Sequence, residues 1–93
     1  MAAPLSQPQR EDLRYAVREQ LVAAATVALN ADMILRRVAR ARVVDFPIEP
    51  TDIAAALSFL VSLGQISSAP DELGSTPYYQ ATAQGILAHE RGR

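Results

Sequence analysis

The chain of 93 residues contains no cysteine. That removes disulfides, thiolate nucleophiles and the usual structural zinc sites. It has a single histidine, His89, so a transition-metal site would have to be built from carboxylates alone, a poor donor set for such ions. No apolar run approaches the roughly 20 residues that cross a bilayer. The opening MAAPLSQPQR has neither the basic n-region nor the long apolar core of a secretion signal, so a cytoplasmic location is expected. Lysine is absent too: all nine basic residues are Arg, which fits a GC-rich genome as well as a binding role. A formal net charge of −1 argues against strong non-specific attachment to nucleic acid and leaves a local basic patch as the electrostatic route.

Catalytic chemistry has little to stand on. Gly64, Gly74, Gly85 and Gly92 are isolated, so there is no phosphate-cradling glycine loop. Glu11–Asp12 and Asp71–Glu72 are adjacent pairs, which diverge on a helix and are solvated in a loop. His89 lies near a C-terminal helix end, where a positive charge is welcome and a solvated or capping role is expected. The reading is non-enzymatic, with no cofactor and no small-molecule substrate.

What is present is apolar and helical. Hydrophobic residues make up 49% of the chain, enough for one domain with a modest core. Its expected bounds are residues 8–90, after a flexible N-terminus over 1–7 and before a tail over 91–93. Seventeen alanines imply closely packed helices. The organising stretch is Thr51–Thr82. Thr51 is the expected cap of a helix through Leu63, with Asp52 at the positive end of its dipole. Ile53, Leu57, Leu60 and Val61 share one face, flanked by Ala54, Ala56 and Leu63. Gly64 suits the left-handed residue that ends a helix. Gln65–Ser68 and Tyr78–Ala81 read as strands around a turn-rich loop holding Asp71 and Glu72, with prolines at both margins. Thr82 caps a last helix whose Ile86 and Leu87 are expected to face inward.

Upstream, Ser6 with Gln9 fits a capping box, and Pro8 suits a first turn. The helix that follows is expected to run from Gln7 to Leu29. Leu13, Ala16, Val17, Leu21, Ala24, Val27 and Ala28 form its core stripe. Tyr15, Val22 and Leu29 recur every seven residues on the other side, either as scattered exposed apolars or as a self-association seam. Asn30 caps a second helix to Ala41, with Leu29 and Ile34 as a hydrophobic staple. Ile34, Val38 and Ala41 face inward, Arg36, Arg37 and Arg40 face out, and Arg42 follows. Val43–Ile48 has room for a short strand, and Phe46 and Ile48 are expected to close the core.

The pieces L-x-x-L-x-x-x-G-x-I (Leu57, Leu60, Gly64, Ile66) and Y-x-A-T-x-x-G (Tyr79, Ala81, Thr82, Gly85), with two helices before them, resemble the winged helix-turn-helix superfamily over nearly the whole chain. The resemblance implies a mainly α fold with a small two-stranded β wing. It also implies that Thr51–Leu63 corresponds to the helix that usually enters the DNA major groove, and that the loop between the strands contacts backbone or minor groove.

The residues themselves divide the functional reading. The solvent side of the third helix, Asp52, Ala55, Ser58, Phe59 and Ser62, carries nothing that reads a base edge bidentately. Asp71 and Glu72 have the wrong sign for phosphate. Arg36, Arg37, Arg40 and Arg42 form the dense basic cluster, and Arg10, Arg14 and Arg18 a second stripe. Backbone contact through Arg36, Arg37, Arg40 and Arg42, with Ser58 and Ser62 on the inserted helix, describes a DNA-associated protein such as a small transcriptional regulator or a phage- or mobile-element accessory protein. A protein-binding or homodimeric module is the alternative, with Tyr15, Val22, Leu29 and Phe59 as its contact residues.

Overall fold

The computed structural model describes residues 4–70, 74 and 76–92. The elements run α1 (Gln7–Ala24), β1 (Leu29–Asn30), α2 (Ala31–Ala41), α3 (Pro50–Ser62), β2 (Ile66–Pro70), β3 (Pro77–Ala81) and α4 (Ala83–Glu90). Strands β2 and β3 form an antiparallel hairpin, Ile66 opposite Ala81 through Pro70 opposite Pro77. Strand β1 adds to the other side of β3, Leu29 opposite Tyr79, giving the order β1-β3-β2. Three helices, a hairpin wing and a closing helix make a winged helix. Among the described residues no helix is long and apolar enough to cross a membrane.

The caps explain where most elements begin. Ser6 Oγ accepts from the Gln9 N–H at 3.3 Å while the Gln9 side chain accepts from the Ser6 N–H at 2.9 Å, a reciprocal box. Asn30 Oδ1 accepts from the Met33 N–H at 2.9 Å. Thr82 Oγ1 accepts from the Gly85 N–H at 3.1 Å and donates to the Gly64 carbonyl at 2.6 Å, so one hydroxyl starts α4 and ties it to the end of α3. That end is a Schellman turn. Gly64, at φ 73°, donates to the Val61 carbonyl, and Gln65 donates to that of Leu60.

The core is one cluster. Leu13, Ala16, Val17 and Leu21 of α1 meet Ile34 and Val38 of α2 and Ile53, Ala56, Leu57 and Leu60 of α3, closed by Leu29 and Ile66. Leu5, Val44, Phe46 and Ile48 pack on it from the loops. Leu5 is therefore part of the fold and not of a loose terminus.

Several expectations are corrected. Helix α1 stops at Ala24, not Leu29, because Ala25 takes φ 57° and its N–H turns back to the Val22 carbonyl. Val27 is 59% exposed instead of in the core. Leu29 is buried in β1, so it cannot belong to an outer seam with Tyr15 and Val22. The short upstream strand is Leu29–Asn30, and Val43–Ile48 is irregular. Thr51 does not cap α3. Pro50, which has no N–H to leave unpaired, takes the first turn, Glu49 takes the cap position, and Asp52 accepts the Glu49 N–H at 2.9 Å. Ala41, Val61, Ile86 and Leu87 are exposed. In α4 the inward residue is Gly85, which turns Ile86 and Leu87 outward.

Candidate nucleic-acid interface

Helix α3 buries Ile53, Ala56, Leu57 and Leu60. At about 100° per residue the opposite strip is Thr51, Ala54, Ala55, Ser58 and Ser62, all exposed. Every side chain in that strip is small and uncharged. The strip gives a narrow helix edge that can approach a groove or another backbone closely, and it offers hydroxyls and methyls in place of long donors. Ser62 Oγ donates to the Phe59 carbonyl of its own helix at 2.6 Å, which leaves its lone pairs outward and its proton engaged. Asp52 is occupied at the N-terminus of the helix.

A groove of ≈ 270 Å³ runs between α3 and the hairpin. Ala54, Ser58 and Val61 line one wall and Ser68 and Tyr79 the other. Ala31 of α2 also borders it, so the N-terminus of α2, the outer edge of α3 and the wing open on one side of the molecule. Asp71 and Glu72, expected in the loop between the strands, lie outside the described residues.

The basic cluster does not sit on that side as one patch. Arg36 pairs with Asp32 one turn earlier at 2.9 Å, and both side chains are more than 60% exposed. Such a surface pair contributes little to stability, so exchanging Asp32 for a phosphate is cheap. Arg37 and Arg40 border a shallow depression with Gln20 of α1 and Ala41. They stand on the flank of α2 turned toward α1, away from the Asp32 and Leu35 flank that meets Pro50 and Ile53 of α3. Arg42 terminates α2 in the left-handed conformation, φ 54° and ψ 36°. Arg37 and Arg40 thus stand on the α1 side of α2, and the four arginines form no single patch with the exposed edge of α3.

The second arginine stripe is taken apart by the fold. Arg10 donates to the Leu5 carbonyl and to Gln7 Oε1. Arg14 lies over the Phe59 ring at 3.6 Å, which covers one face of that half-exposed ring and brings a positive charge to the flank of α3. Arg18 is buried and donates from Nη1 to Gln65 Oε1 at 2.8 Å. Burial lowers its pKa, and Tyr15 acts weakly the other way. His89 is not a solvated cap. Its ring stacks on Tyr15 at 4.9 Å, and Nε2 stands 4.0 Å from Glu19. Neither the burial of Arg18 nor the packing of His89 is signalled by sequence, since both types usually read as surface.

Of the expected interface residues, Tyr15 and Phe59 are exposed and Val22 is half-buried. Tyr15 and Phe59 border one cavity between α1 and α3, so the first-helix and third-helix surfaces adjoin.

No protein-family model and no curated protein sequence matches the chain. Solved structures do. The PcaV transcriptional regulator of Streptomyces coelicolor superposes with a TM-score of 0.68 at 23% identity, over 94% of this chain and 52% of that one. The chain therefore spans about half the length of that regulator. A transcriptional regulator of Clostridium thermocellum gives 0.76 at 19% identity, over 97% and 84% of the two chains. A PadR family transcription regulator of Clostridium difficile gives 0.64 at 18%, over 86% and 84%. The chain has the winged-helix fold of these transcription regulators.

Proposed function

We propose that this protein is a non-enzymatic, DNA-associated winged-helix protein of the cytoplasm, acting as a small transcriptional regulator or as an accessory protein of a phage or mobile element. The observation that carries the reading is the exposed, small-residue edge of α3 beside an open groove and a hairpin, on the fold of transcription regulators. In this reading α3 enters a groove with Ser58 and Ser62 toward the DNA, and Arg36, Arg37, Arg40 and Arg42 hold phosphates along the flank. The absence of long donors on α3 makes affinity electrostatic and sequence preference shallow. Fluorescence anisotropy with a mixed-sequence duplex at low salt tests it. Saturable binding is expected, and no binding to any duplex would refute it.

A second reading is favoured by one observation: Phe59, Leu63 and Tyr15 are exposed together around the α1–α3 cavity. That surface suits a protein contact, including a homodimer through Tyr15, Val22 and Phe59. Light scattering separates the cases. Phe59→Glu abolishes a dimer built on this surface, and a wild type that stays monomeric at high concentration removes the homodimer.

A further inference from the structure

Arg14 differs from the other arginines of α1. Arg10 spends its donors on the Leu5 carbonyl and Gln7 Oε1, and Arg18 is buried against Gln65. The Arg14 guanidinium lies over the Phe59 ring, 3.6 Å from its centroid, and makes no hydrogen bond or ion pair among the described residues. Stacking uses the face of a guanidinium. Its N–H groups stay free around the rim, in the plane that can meet two oxygens of one phosphate. Two carboxylates border the cavities that Arg14 lines, Glu11 in one and Asp52 in the other. Glu11 accepts from Gln7 Nε2 and Asp52 from the Glu49 N–H, so neither neutralises Arg14 directly.

The place of this cation matters as much as its freedom. Phe59 lies about 60° round α3 from Ser62, between the exposed strip and the side that meets α1. Ala55, of the exposed strip, borders a cavity together with Arg14. Arg14 is therefore fastened to the shoulder of the exposed edge, whereas Arg37 and Arg40 stand beside Gln20. An α-helix with its side chains is about 10–12 Å across, and the major groove of DNA is about 12 Å wide. A helix seated there has a phosphate wall along each flank. The small side chains of the α3 strip allow it to seat deeply, which brings its shoulders level with those walls.

We infer that Arg14 is a DNA phosphate contact on the α1 shoulder of α3, and that Phe59 is the positioning residue that holds its guanidinium there. The inference rests on the DNA reading above and adds to it a cation that already stands beside the inserted helix. The exposed Phe59 ring is then a platform for that cation.

The probe is a mixed-sequence duplex, followed by anisotropy over a salt series and by the Arg14 Nε–H resonance in ¹⁵N-labelled wild-type protein. Saturable movement of that resonance is expected. Arg14→Gln should bind at least about threefold more weakly, with a slope of log K against log salt shallower by about 0.9, the share of one phosphate. Arg14→Lys, which keeps the charge, should restore most of that slope. In a Phe59→Leu background, which removes the platform, Arg14→Gln should weaken binding less than it does in the wild type. A wild type that binds no duplex would refute the DNA reading and this inference with it. Binding with an unmoved Arg14 resonance, or a folded Arg14→Gln protein with the wild-type slope, would overturn the inference and leave the DNA reading in place. An equal cost of Arg14→Gln in both backgrounds would remove Phe59 from its role. The resonance measurement stands even where a variant fails to fold.

Discussion

The guanidinium of Arg14 stacks on the Phe59 ring at 3.6 Å from its centroid, linking the outer flank of α1 to the exposed edge of α3. The contact decides how Phe59 is presented, because one ring face is covered by a cation and the other is open. Exposed pairs of this kind are worth about 0.5–1 kcal/mol. A double-mutant cycle with Arg14→Ala and Phe59→Ala should return a coupling of that size in urea unfolding. A coupling near zero would mean that the two side chains move independently in solution.

Gly85 supplies the sharpest packing test. A Cβ there would lie 1.9 Å from the Gln65 carbonyl oxygen and 2.8 Å from its carbon. These are backbone atoms at the start of the wing, and they cannot swing aside as a flexible side chain can. Gly85→Ala should therefore cost about 3 kcal/mol, although alanine is the better helix former by about 1 kcal/mol. A melting temperature at or above wild type would show that α4 does not press on Gln65.

Ala25 makes the opposite test. Its φ of 57° and ψ of −110° form a conformation that only glycine adopts without strain, and such strain costs about 1–3 kcal/mol. Ala25→Gly should leave stability unchanged or raise it by up to about 1 kcal/mol once the added chain entropy is offset. A clear loss of stability would mean that α1 continues past Ala24 after all.

Leu57, 1% exposed at the centre of the core, should lose about 2–5 kcal/mol as Leu57→Ala. An unchanged denaturation midpoint would place α3 on a different face.

Ala25 also shows why part of the fold was hidden in the sequence. The caps at Ser6, Asn30 and Thr82, the stop at Gly64 and most inward residues of α1 to α3, though not Val27, Ala41 or Val61, were legible, because capping chemistry and a 3.6-residue period act locally. The end of α1 was not. Ala23–Leu29 continues an apolar, alanine-rich pattern, and the chain leaves the helix there so that Leu29 can pair with Tyr79, 50 positions later. A strand of two residues has no period to detect. The same pairing moved Leu29 from an imagined outer seam into the core. At the candidate site, Ala55, Ser58 and Ser62 were readable as the exposed side of α3, whereas Thr51 was expected as a cap and Ala54 beside the buried face. The splitting of the arginines was not, because it depends on which flank of α2 meets α1 and which meets α3. Arg18 is met by Gln65 from the turn between α3 and β2, a contact 47 positions away.

The salt dependence of duplex binding tests the central claim most directly. Each phosphate contact contributes about −0.9 to the slope of log K against log salt. The variant for comparison carries Arg36→Ala, Arg37→Ala, Arg40→Ala and Arg42→Gly, the last chosen because the left-handed backbone at that position accepts glycine without strain. If the four arginines hold phosphates, the variant should bind more weakly and its slope should be shallower by up to about 3.6. A folded variant with the wild-type slope, or a wild-type protein that binds no duplex at low salt, would contradict the account.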